Sequence, residues 1–133
     1  VSGGEHGALW KSIRDVGPFQ GSNKPVWRLS VKPSAAADIA AALETALGAE
    51  AFFDWGGGLI WLQTPDATAE IAQQIRAEIA PHGGYATLIR GSAQQRAVLD
   101  VFQPQAPHLA KISQQWRDQF DPAVVLNPGL MAA

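Results

Sequence analysis

Val26-Trp27-Arg28-Leu29-Ser30-Val31-Lys32 alternates large apolar and polar residues. A period of two is that of a β-strand with one face buried, so Trp27, Leu29 and Val31 turn to a core while Arg28, Ser30 and Lys32 turn away from it. Immediately downstream, Pro33-Ser34 offers an N-cap. Ile39, Leu43 and Leu47 then recur at four-residue steps through an alanine-rich segment that Gly48 closes with its left-handed preference. Ala51-Phe52-Phe53 and Leu59-Ile60-Trp61-Leu62 are two further apolar runs, joined by Asp54-Trp55-Gly56-Gly57-Gly58, a composition suited to a hairpin connection. Thr64-Pro65-Asp66 combines a cap with proline at a first helical position, and Ile71, Ile75 and Ile79 form a stripe that stops before Pro81-His82-Gly83-Gly84. Tyr85 to Arg90 alternates again.

The order strand, helix, strand, strand, helix, strand predicts an α+β, ferredoxin-like βαββαβ domain. Its two right-handed crossovers place both helices on one face of a four-stranded antiparallel sheet and leave the other face free. Extensions flank this unit. Leu9, Ile13 and Val16 lie at helical spacing before Gly17-Pro18, and a polar loop runs from Gln20 to Pro25. Ser92 with Gln95 forms a capping-box pattern for a short helix, and Pro107 opens a longer one with Leu109, Ile112, Trp116 and Phe120 on one side. One domain spanning 1–133, with helical additions at both ends, is the expectation for 133 residues.

Composition removes several chemistries. Cysteine is absent, which excludes disulfides, thiol catalysis, thiolate zinc sites and cysteine-ligated iron–sulfur clusters, so a redox role requires a borrowed cofactor. The net charge of −2, with scattered Lys and Arg, leaves no footprint for nucleic acid. No window offers the roughly 20 apolar residues of a membrane span, and Val1-Ser2-Gly3-Gly4-Glu5 lacks the basic start of a secretory signal; a cytoplasmic chain is expected. His6, His82 and His108 have no metal-ligand spacing, and Ser12, Ser30 and Ser92 have no nucleophile elbow. Gly56-Gly57-Gly58 leads into a strand rather than a helix, so it reads as a turn and not as a phosphate cradle. Asp118 and Asp121 sit at a helix end, where capping and solvation account for them.

The outer side of the first strand is more telling. Arg28 and Ser30 project from a central strand onto the free face, and neighbouring strands add Trp61 or Gln63, and Thr87 or Arg90, according to register. An arginine on a partly covered sheet suits a carboxylate, which it clamps through two parallel hydrogen bonds; the alternative is a solvated or surface-paired side chain. Of the five tryptophans, Trp27 and Trp116 fall in periodic apolar stripes and are expected in the core, whereas Trp55 at a hairpin tip suits contact with another domain.

The chain closes with Phe120-Asp121-Pro122, four residues, Asn127-Pro128-Gly129, Leu130 and Met131. This resembles the signature ending the C-terminal domains of FAD-linked oxidases of the vanillyl-alcohol-oxidase type, with Leu130 where a basic residue is usual. Leu9-Trp10, Trp27-Arg28-Leu29-Ser30-Val31, Asp54-Trp55-Gly56-Gly57-Gly58-Leu59-Ile60-Trp61, Gly83 to Gly91 and Val101-Phe102-Gln103-Pro104 extend the likeness over most of the chain. Together they look most like the FAD-binding subunits of bacterial glycolate oxidases. The resemblance implies that FAD is held mainly by an N-terminal domain absent from this chain. The C-terminal domain would then cap the flavin and shape the site where a 2-hydroxy acid such as glycolate becomes a 2-oxo acid. It implies Arg28, Ser30, Trp61 and Arg90 on the substrate side, and Asn127, Pro128 and Gly129 as the turn that returns the chain to the flavin domain. The implied partners are that domain, a second flavin subunit and an iron–sulfur subunit passing electrons to membrane quinone, with peripheral attachment at the inner membrane. The isolated chain is expected to hold no FAD and to be inactive. The rival expectation is a free-standing module that binds a small ligand or dimerises through its open sheet face.

Overall fold

Strand β1 (Val26–Ser30) lies inside a sheet with β2 (Glu50–Asp54), β3 (Leu59–Gln63) and β4 (Tyr85–Arg90), in the order β2-β3-β1-β4 and antiparallel throughout. The structure, a computed structural model, describes residues 3–126. Helix α1 (Gly3–Arg14) precedes β1, α2 (Ala36–Leu47) joins β1 to β2, and α3 (Ala69–Ile79) joins β3 to β4. Helices α4 (Ala93–Val98) and α5 (Pro107–Phe120) follow. Element order and strand order together are those of the expected split βαβ arrangement.

The register explains the core. Trp27 faces Leu62 and Leu88, and Leu29 faces Ile60 and Ala86, so one face of β3, β1 and β4 is continuously apolar. Ile39, Ala40 and Leu43 of α2 and Ala72, Ile75 and Ile79 of α3 pack on that same face, and these side chains are at most 2% exposed. Each large one contributes about 1.5–3 kcal/mol by leaving water, which makes this layer the main source of stability. Gly84 sits where α3 and β1 converge: a Cβ there would lie 2.9 Å from Ile79 Cβ and 3.0 Å from the Ser30 carbonyl oxygen.

Local signals acted with some displacement. Gly48 ends α2 at φ 60°, and Ser92 with Gln95 forms the expected reciprocal capping box at α4. Pro33 opens a 3-10 turn over Pro33–Ala35 rather than α2 itself, whose N-cap position is Ala35, so Ser34 does not cap the helix. Helix α3 starts at Ala69, with the Thr68 hydroxyl accepting the Ile71 N–H at 3.3 Å. The Thr64-Pro65-Asp66 cap is therefore corrected to Thr68; Thr64 is wholly buried and its N–H donates to the Pro25 carbonyl at 3.1 Å. The hairpin between β2 and β3 turns tightly through Trp55, Gly56 and Gly57 at φ 52°, 61° and 91°. Asp54 accepts the Trp55 N–H at 2.7 Å and steadies that left-handed residue.

Trp116 is the larger correction. It is 59% exposed, stacked on Phe120 with ring centroids 5.6 Å apart, and not in the core. None of the residues of α5 is buried: its stripe of Leu109, Ile112, Trp116 and Phe120 is amphipathic, but the described residues place nothing over it. The helix ends on Asp121, 7% exposed, whose carboxylate accepts the N–H groups of Val125 and Leu126, each at 2.9 Å. The aspartate of the Phe120-Asp121-Pro122 segment is thus a turn-former. Asn127, Pro128, Gly129 and Leu130 lie outside the described residues.

Candidate functional site on the helix-free sheet face

The side chains opposite the core form three rows across the sheet. The middle row is Phe52, Trp61, Arg28 and Thr87; toward the hairpin lie Asp54, Leu59, Ser30 and Tyr85; toward the other end lie Glu50, Gln63, Val26 and Arg90. Directly paired residues share a face, so the alternatives that sequence left open resolve jointly: Trp61, Gln63, Thr87 and Arg90 all stand on the same side as Arg28. The pairing shifts by one residue between Val26 and Trp27, and Ile89 falls in that irregularity, which brings Arg90 level with Val26.

The Arg28 side chain is half-buried and, among the described residues, makes no hydrogen bond or ion pair. It is the one ionisable group of the middle row. Two neighbouring donors are also unsatisfied: Trp61 Nε1 and Gln63 Nε2 are buried without an acceptor. The carboxylates of the face lie on the edge strand and are engaged, Asp54 with the Trp55 N–H and Glu50 opposite Lys24 at 3.8 Å. The centre of the face is therefore rich in donors and short of acceptors.

Arg90 has a different task. Its Nε donates to the Lys24 carbonyl and its Nη2 to the Phe19 carbonyl, both at 2.9 Å, so the loop preceding β1 is drawn against this end of the face. Phe19, Val26 and Gln63 are buried there at 4–5% exposure. Ser30 and Tyr85 are exposed at the opposite end, and Trp55 stands 74% exposed at the hairpin tip beyond them. The face is thus an aromatic and apolar floor around one unpaired cation, walled by the 19–24 loop. Phe52 and Tyr85 join the face only through pairing register, which local sequence does not encode.

A second arginine, Arg76 of α3, lines a shallow cleft between α3 and residues 98–103. Its Nη2 donates to the carbonyls of Asp100 and Phe102, and burial holds its guanidinium below the usual range against the opposing charge of Asp100. It clamps that segment onto α3. Among the described residues no group of His, Asp and Glu is placed to hold a metal ion.

The chain is 37% identical over 134 residues to glycolate oxidase subunit GlcE of Escherichia coli (strain K12), an alignment that takes in 98% of this chain and 33% of that subunit. It is homologous to part of a glycolate oxidase subunit. The chain spans about a third of the length of this curated relative, in agreement with the likeness carried by the Trp27 to Val31 and Asp54 to Trp61 segments. No protein-family profile matches the chain, and no solved structure matches it.

Proposed function

We propose that this chain is the cap portion of a glycolate-oxidase-type flavoprotein subunit, covering FAD with its helix-free sheet face and shaping the site where a 2-hydroxy acid is oxidised to a 2-oxo acid. The observation that carries the reading is an unpaired Arg28 at the centre of an open aromatic face, in a domain that aligns along nearly its whole length with a glycolate oxidase subunit. The residues fit a covering role and not a dinucleotide-holding one. Phe52, Trp61 and Tyr85 offer apolar surface to a planar ring, whereas the Gly56 to Gly58 run opens a strand and gives no phosphate a helix N-terminus. FAD, when bound, supplies the hydride acceptor; this chain supplies orientation, electrostatics and exclusion of water.

In this reading the rest of the subunit carries the flavin, and the exposed Trp116 and Phe120 of α5, with Trp55, face that domain or a second flavin subunit and an iron–sulfur subunit. The complex works on the cytoplasmic side of the inner membrane. The test is flavin content. The 133-residue chain purified alone is expected to be colourless, and the same chain produced with the upstream portion corresponding to the rest of its relative is expected to carry the visible flavin bands. Stoichiometric FAD on the 133-residue chain would overturn the proposal in favour of a self-sufficient module.

A further inference from the structure

Charge is unevenly distributed along the chain. Between Lys32 and Arg76 there is no Lys, Arg or His, whereas Asp38, Glu44, Glu50, Asp54, Asp66 and Glu70 supply six carboxylates. With 10 basic and 12 acidic residues in all, the remainder of the chain carries an excess of positive charge. The acidic stretch builds α2, β2 and β3, and β2 is one of the two outer strands of the sheet. The other outer strand, β4, is covered: the Leu88 N–H donates to the Val101 carbonyl at 2.8 Å and the Ala86 N–H to Gln103 Oε1 at 3.3 Å. Among the described residues no backbone segment bonds to the outer edge of β2. The Ala51 N–H turns away from β3 and donates to Glu44 Oε1 at 3.1 Å. Alternation along an antiparallel ladder then places the Phe53 N–H and the carbonyls of Ala51 and Phe53 on that same open edge. Phe53 is 45% exposed, and a row of unpaired backbone groups beside it is a template for one more strand.

We infer that the outer edge of β2 is a docking site for an extended, basic segment of a partner protein, which adds to the sheet as an antiparallel strand. The backbone groups of Ala51 and Phe53 supply hydrogen bonds that any extended peptide satisfies, and side chains supply the choice among peptides. Glu50, Phe52 and Asp54 project on the helix-free side, so the partner's residues on that side are Lys or Arg. Ala51 and Phe53 project on the helix side, so the alternate residues of the partner are apolar. The same charges disfavour a second copy of this chain: β2 paired antiparallel with itself about Phe52 sets Glu50 against Asp54, and every register brings two acidic stretches together. Glu44 is a long, exposed side chain that yields the Ala51 N–H to an incoming carbonyl and keeps its charge for a cation of the partner. The site requires nothing of the flavin reading.

The experiment labels phenylalanine with nitrogen-15 in the 133-residue chain and titrates it, by NMR, with a blocked heptapeptide that alternates lysine with valine. The Phe53 amide is identified by carbonyl labelling, because Phe53 alone follows another phenylalanine. Its signal is expected to move saturably and its hydrogen exchange to slow about tenfold or more at saturation, while Phe52, whose N–H already faces β3, changes little. Replacing the lysines by glutamate, or N-methylating the valines, is expected to abolish both effects, the first by removing the opposite charge and the second by removing the donors. Glu50→Gln is expected to weaken binding about two- to fivefold, as loss of an exposed ion pair does. Phe53→Pro deletes the outward N–H without touching the ladder to β3 and is expected to weaken binding about tenfold. Should Phe53→Pro fail to fold, the N-methylated peptide tests the same hydrogen bonds from the other side. An unmoved Phe53 amide, an equal response to the glutamate or N-methylated peptide, or undiminished binding by Glu50→Gln and Phe53→Pro would each overturn the docking site. So would Phe53 protection that rises with protein concentration in the absence of peptide, which is the mark of a second copy on that edge.

Discussion

Gly84 and Arg90 show how single residues set the shape of the open face from positions outside its centre. A methyl group at Gly84 would press on Ile79 Cβ and the Ser30 carbonyl at 2.9 and 3.0 Å, between elements that cannot yield without disturbing the core. Gly84→Ala is expected to cost about 1–3 kcal/mol in urea unfolding, the usual penalty of overpacking. Gly21→Ala, with nothing within 4 Å, is expected to change stability by less than about 0.5 kcal/mol. Arg90 holds two loop carbonyls, and Arg90→Gln is expected to lower stability by about 1 kcal/mol and to speed amide hydrogen exchange in the released 20–24 loop. Its residue type was legible as a face residue. Its bonding was not, because the carbonyls of Phe19 and Lys24 are brought to it only by the chain's return past β4.

At the scale of elements, caps and stripes account for most boundaries, and where two caps compete the tertiary context selects one. Thr64 and Thr68 both precede helix-compatible residues, but Thr64 is drawn into the sheet by its bond to Pro25, which leaves Thr68 to start α3. Within the first turn of α3, hydrogen bonds from the Thr68 side chain and from its own backbone N–H hold the Glu70 carboxyl below the usual carboxylate range. A depressed folded value means that the contribution is present above the unfolded carboxylate pKa and is lost as pH falls through the lower, folded one. Amide protection at the start of α3 is therefore expected to decline on acidification through that window, and Glu70→Gln to abolish the dependence, read by hydrogen exchange against pH. Removing the α4 cap by Ser92→Ala is expected to cost about 0.5–2 kcal/mol, concentrated in faster exchange at Gln95.

For the whole molecule the contrast is between a packed sheet–helix layer and terminal helices that pack little on it. Ile75→Ala, in the fully buried layer, is expected to cost about 2–5 kcal/mol, whereas Trp116→Ser, on an exposed stripe, is expected to leave the unfolding midpoint of the 133-residue chain nearly unchanged. A Trp116→Ser chain as destabilised as Ile75→Ala would show that α5 belongs to the core after all. Periodicity could not distinguish these two stripes. Ile71, Ile75 and Ile79 and Leu109, Ile112, Trp116 and Phe120 both repeat at helical spacing, and spacing records that a face is apolar without recording what covers it. Local period, caps and turns set the four strands, the two crossover helices and the separation of Trp27 and Leu29 from Arg28 and Ser30, so all of these are legible along the chain. Three-dimensional packing settles which residues of β2, β3 and β4 stand beside Arg28, that Arg90 is occupied by the loop, and that Trp116 faces outward. Those depend on register and long-range closure, where a shift of one residue reverses a face without altering any local preference.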